Sequence, residues 1–106
     1  MLEKPSHRLA FIFTERAEEQ LATRPRLREA IAALQGRVST EKSLRIERIL
    51  VDAIPDPETG AFRGITVDIE VPSTPYDVMS QAQTRLITFI DSLDPEREIV
   101  VAVLPP

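Results

Sequence analysis

The sequence contains no cysteine and no tryptophan, and only one histidine, one tyrosine and three glycines among its 106 residues. Without cysteine there is no disulfide framework, thiolate nucleophile, iron–sulfur cluster or cysteine-ligated zinc. With His7 as the only imidazole, zinc would find one nitrogen ligand plus carboxylates, a poor match to its usual donor sets. Glycines 36, 60 and 64 form neither a phosphate-cradling loop nor a dinucleotide fingerprint. No apolar run approaches the roughly 18 to 20 residues that cross a bilayer. Residues 1–8 are followed by only five apolar residues, Leu9 to Phe13, short of a signal-peptide core. The expectation is a cytoplasmic protein with no cofactor, no metal and no membrane partner.

What is present is an ordinary globular composition, 42% hydrophobic and 28% charged, far from the disordered class. A chain of this length can remove roughly 65% of its unfolded surface from water, enough for one core. A flexible lead-in over 1–8 and a single α+β domain over 9–106 follow. The formal net charge of −4 argues mildly against nonspecific nucleic-acid binding by the whole surface. That total hides an imbalance: residues 1–48 carry ten basic and seven acidic side chains, and residues 49–106 carry three basic and ten acidic.

Leu9 to Phe13 reads as a short strand buried on both faces. Thr14 is placed to cap a helix whose first turn carries Glu15 and Glu18, residues that the helix dipole favours there. Pro25 interrupts that helix but suits the first turn of a second one. Leu27, Ala30, Ile31 and Leu34 then recur at helical spacing, with Gly36 at an expected left-handed end. Residues 44–54 fit neither period cleanly. The turn formers of 55–60 and the clean alternation of Ile65, Val67, Ile69 and Val71 make 44–54 the partner strand of a hairpin, bulged near Glu47 and Arg48. Pro72 closes the hairpin. Ser73 or Thr74 then caps a long helix marked by Met79, Ala82, Leu86, Phe89, Ile90 and Leu93. Ile99 to Leu104 is an unbroken apolar strand, which places it in the centre of a sheet.

The order β-α-β-β-α-β predicts a ferredoxin-like sandwich, a four-stranded antiparallel sheet with its helices on one face. A helical reading of residues 7–23 would leave a three-stranded antiparallel sheet instead. In the sandwich one sheet face lacks helices, and the apolar strands at 9–13 and 99–104 should give it an apolar strip. Such a strip is commonly covered by a second subunit, so a homodimer is expected.

The chemistry-bearing candidates are sparse. Asp68 and Glu70 share a strand face, with Asp52 across the hairpin; the cluster suits magnesium or acid–base work, or is simply the solvated face of the strand. Arg16, Arg24, Arg28 and Arg37 form the strongest basic feature, with Arg26 among them; it suits phosphate, an acidic partner, or a solvated helix face. Tyr76, with Ser73 and Thr74, stands where helical N–H groups can hold an anion, although capping accounts for the same residues. His7 lies in the lead-in without a partner pattern for catalysis. The leading expectation is a non-enzymatic interaction or regulatory module that self-associates and can also dock a protein partner. A nucleic-acid binder using the arginines and a small-molecule enzyme with a site at the subunit interface are the alternatives.

Overall fold

The computed structural model describes residues 11–105. The lead-in with His7, and the first two residues of the expected first strand, lie outside them. Thr14 ends strand β1 (Phe11–Phe13) and caps helix α1 (Glu15–Ala22), its hydroxyl oxygen accepting the Ala17 N–H at 3.2 Å. Pro25 opens α2 (Pro25–Val38), because a residue without an N–H costs nothing in a first helical turn. Gly36 does not end α2 as expected. The helix runs on to Val38, whose side chain is fully buried.

Strand β2 (Arg48–Pro55) and strand β3 (Phe62–Glu70) form the expected hairpin, with the register irregularity at Ile54/Pro55 rather than at Glu47 and Arg48. Its turn is built by Asp56, whose carboxylate accepts the N–H groups of Glu58 and Thr59 at 2.8 and 3.1 Å. Gly60 supplies the positive φ of 75° that closes it. Helix α3 (Tyr76–Leu93) starts one residue after Pro75, which holds the N-cap position; neither Ser73 nor Thr74 caps it. Pro72 and Pro75 fix the approach to the helix, and Ser73 takes a positive φ of 59° between them.

The sheet also departs from expectation. Its order is β1-β2-β3-β4, where β4 is Ile99–Leu104; β1 runs parallel to β2, β2 antiparallel to β3, and β3 parallel to β4. The fold is therefore α+β with a four-stranded open mixed sheet and three helices, not the antiparallel ferredoxin-like order. The strand at 11–13 also removes the wholly helical reading of the N-terminal segment. The eight- and nine-residue strands of the hairpin take the middle of the sheet. Each helical crossover then joins neighbouring strands. The two crossovers run in opposite senses and place their helices on the same face, which gives them opposite hands. One is thus left-handed, against the strong right-handed preference of such units.

Alternate residues of the three long strands define the covered face: Ile49, Val51, Ile65, Val67, Ile69 and Val101 are buried beneath the helices. Leu27 and Leu34 of α2 and Leu86 and Ile90 of α3 complete the core from above. Two acids are buried with it. Asp94, 1% exposed, accepts the Ile99 N–H at 2.7 Å and Arg26 Nη1 at 3.2 Å. Glu41 holds the α2–β2 connection to α3 through two bonds from Arg85, at 3.1 and 2.7 Å.

Strand β4 is uncharged, yet it lies at an edge rather than in the centre. The β3–β4 ladder directs the peptide groups of Glu98 and Leu104 toward β3, so by alternation those of Ile99, Val101 and Val103 point outward. Two of these outward amides are engaged: Ile99 N–H by Asp94, and Val103 N–H by the Gln83 side chain at 2.8 Å.

Candidate functional site

The helix-free face of the sheet gathers the acidic candidates. Register places Asp52 opposite Thr66, Asp68 opposite Leu50, and Glu70 opposite Arg48. On the far side Thr66 meets Val100, Asp68 meets Ala102, and Glu70 meets Leu104. Ile12 stands beside Leu50 on β1. One row across the sheet thus reads Ile12, Leu50, Asp68, Ala102. The face is charged along its centre and aliphatic at its margins, where Ile12, Val100 and Leu104 are 45%, 51% and 38% exposed. The apolar residues of β1 and β4, expected to form one strip, stand at opposite margins, because the hairpin with its polar residues lies between them.

The three acids share the face but not an environment. Asp52 is held by Arg16 through Nε and Nη2 at 2.8 and 2.9 Å, by the Thr14 hydroxyl at 2.7 Å, and by its neighbour's Ala53 N–H at 2.8 Å. The Arg16 guanidinium, followed by these other donors, holds its carboxyl far below the usual carboxylate range despite partial burial. Glu70 receives two bonds from Arg48, at 3.2 and 2.8 Å. Asp68 has no hydrogen-bond or ion-pair partner among the described residues. Partial burial raises its pKa above the ordinary value, and the charges of Glu70 and Asp52 add to the effect. Among the described residues, no three His, Cys, Asp or Glu side chains are grouped to hold a metal ion.

The arginines do not converge. Arg16 is engaged with Asp52. Arg24 sits at the break between α1 and α2, donates to Gln20 Oε1 at 2.6 Å, and lies 3.9 Å over the Phe62 ring. Arg28 is exposed on α2. Arg37, in the last turn of the same helix, stands 5.7 Å over Phe89 of α3. Arg26 joins α2 to the end of α3 and the start of β4 through Asp94, Glu96 and Glu98, the last at 2.6 Å. A shallow cleft of about 110 Å3 is lined by Arg16, Gln20, Ile54 and Phe62. Tyr76 is 82% exposed, beside a smaller cleft of about 70 Å3 whose Gln83 is already bonded to Val103.

Arg48 is the participant that sequence reasoning missed. Its signal was the hairpin register, since a residue directly opposite Glu70 on an antiparallel pair is within reach of it. The stacking of Arg24 on Phe62 had no comparable local signal, because the two residues belong to separate elements. No protein-family model, no curated protein and no solved structure matches this chain.

Proposed function

We propose that this chain is a small non-enzymatic interaction module that self-associates through the helix-free face of its sheet. The observation that carries the reading is the set of exposed aliphatic side chains on that face: Ile12, Val100 and Leu104. They are contributed by both edge strands and frame one surface. Apolar area of this kind is stabilised when a second surface removes it from water. The same face offers docking ground for a protein partner with an equally flat, aliphatic surface.

Light scattering across a concentration series tests the reading. The parent mass rises from 11.9 kDa toward that of a dimer as concentration increases. The Val100→Asp variant, with a charge in the margin, remains monomeric over the same range. A parent that stays monomeric to millimolar concentration, or a Val100→Asp variant that associates as well as the parent, refutes the proposal.

A further inference from the structure

We infer that the cleft between α3 and the outer edge of β4 is a binding site for a small zwitterion, an α-amino acid with a branched aliphatic side chain. The cleft holds about 210 Å3 and is lined by Ile87 and Asp91 of α3, by Arg97, and by Val100 and Val101 of β4. Val100 lies on the open face of the sheet and α3 covers the other, so a cleft that touches both lies at the free edge of the strand. The site does not depend on the self-association proposed above.

The first observation is the Val101 amide. Its N–H points outward from the sheet and has no partner among the described residues, whereas those of Ile99 and Val103 on either side are held by Asp94 and Gln83. Val101 is only 5% exposed, so water reaches that donor poorly, and a shielded N–H without an acceptor is uncommon in a folded chain. The second observation is a pair of opposite charges. Asp91 and Arg97 line the same cleft without forming an ion pair with each other or with any other described residue. Arg97 holds a positive φ of 57°, a conformation that a residue with a side chain adopts only at a cost. Its N–H closes the turn on the Asp94 carbonyl at 2.9 Å.

The direction of α3 sets the order of these groups. Asp94 reaches Ile99 and Gln83 reaches Val103, so the helix runs opposite to the strand. Asp91 therefore stands with Arg97 near the start of β4, and Ile87 stands one helical turn further along the strand. A ligand with both charges at one end and an aliphatic group at the other matches that order. Its carboxylate accepts from Arg97 and from the Val101 N–H, its ammonium donates to Asp91, and its side chain lies against Ile87 and Ile90. Two features limit its size. An apolar cavity of about 150 Å3 holds benzene, with six heavy atoms, so about 210 Å3 suits about eight or nine, the count in valine and in leucine. Asp94 and Gln83 occupy the outward positions on both sides of Val101, so an extended strand has no free ladder to pair with.

Titration of isotope-labelled protein with L-valine, L-leucine and L-isoleucine, followed by proton–nitrogen correlation spectra, tests the inference. The Val101 amide resonance is expected to move and saturate, with a dissociation constant between about 10 μM and 1 mM for a ligand of this size. Isocaproate, which is leucine without its ammonium, and isoamylamine, which is leucine without its carboxylate, bind at least about tenfold more weakly, because each loses a charge-assisted contact. Arg97→Gln and Asp91→Asn weaken leucine binding by at least about the same factor. The spectra of the variants show whether they are folded, and the two analogues probe the same charges on the unaltered protein. The inference is overturned by the absence of a saturable Val101 shift up to about 10 mM amino acid, by analogues that bind as tightly as leucine, or by folded variants of unchanged affinity. A Val101 shift produced by an apolar peptide and by none of the three amino acids would also overturn it, and would assign the cleft to a strand-like partner.

Discussion

Replacing Asp94 by alanine is the sharpest test of how the covered side of the molecule is held together. The carboxylate is 1% exposed and accepts the Ile99 N–H at 2.7 Å, the bond that starts β4 where α3 has just ended. Its other oxygen takes Arg26 Nη1 at 3.2 Å, which ties α2 to the same corner. Alanine leaves the buried amide without an acceptor, a loss of about 1–3 kcal/mol, and empties the volume the carboxylate filled. A total near 2–4 kcal/mol follows, a large share of the roughly 5–15 kcal/mol by which such domains are stable. At about 4–8 °C per kcal/mol for a domain of this size, the melting temperature falls by roughly 8–32 °C. Asp94→Asn retains an oxygen for Ile99 but turns an amide donor toward Arg26, so its loss is about half as large. Urea unfolding followed by far-UV circular dichroism measures both, since one tyrosine and no tryptophan give little fluorescence. Alanine and asparagine variants that both stay within about 0.5 kcal/mol of the parent would show that the Asp94 corner is not holding α3 to β4.

Gly64→Ala would place a methyl carbon 2.6 Å from the Glu98 carbonyl oxygen, so a loss of about 1–3 kcal/mol is expected, with amide exchange accelerated at Ile65 before the rest of β3. A Gly64→Ala variant as stable as the parent would mean that β4 can give way at no cost. The Asp52 carboxyl is held below the usual range by Arg16 and the donors around it. Its contribution is therefore present above the pKa it has in the unfolded chain and is lost as pH falls through and below that value. Asp52→Asn should flatten the acid limb of a stability-versus-pH curve, and an unchanged limb would contradict this. Leu86→Ala, at a fully buried position on α3, should cost about 2–5 kcal/mol in the same urea assay. For the nucleic-acid alternative, Arg16 and Arg24 are engaged within the fold. Titration of a fluorescent oligonucleotide at low salt is therefore expected to show no binding, and a steeply salt-dependent signal lost in Arg24→Ala plus Arg28→Ala would restore that reading.

Local signals in the sequence carried the elements well. Thr14 and Pro25 mark helix boundaries through their own backbone chemistry, and the alternation of 65 to 71 together with the turn at 55–60 specifies a hairpin without help from distant residues. Strand order was not legible, because it depends on which strand finds which neighbour. An apolar β4 reads as central, whereas its outer side is at the sheet's edge and Val100 and Leu104 lie exposed on the open face. The acidic candidates share one sheet face, but their fates depend on Arg16 and Arg48, which reach Asp52 and Glu70 across 36 and 22 residues of chain. The bond of Asp94 to Arg26, 68 residues away, belongs to the folded arrangement alone.

The two side chains on the outer margin of β4 have a consequence for what the molecule can assemble into. Six uncharged residues at a sheet edge are a template on which a foreign strand can grow, and a sheet that grows by its edge has no natural end. Asp94 and Gln83 hold the amides of Ile99 and Val103, so that, among the described residues, Val101 is the one outward donor of that strand without a partner. Asp94 cannot swing aside, being clamped by Arg26 and buried at the end of α3. The β4 edge is thereby a poorer template for fibril-like stacking than its uncharged sequence alone would make it.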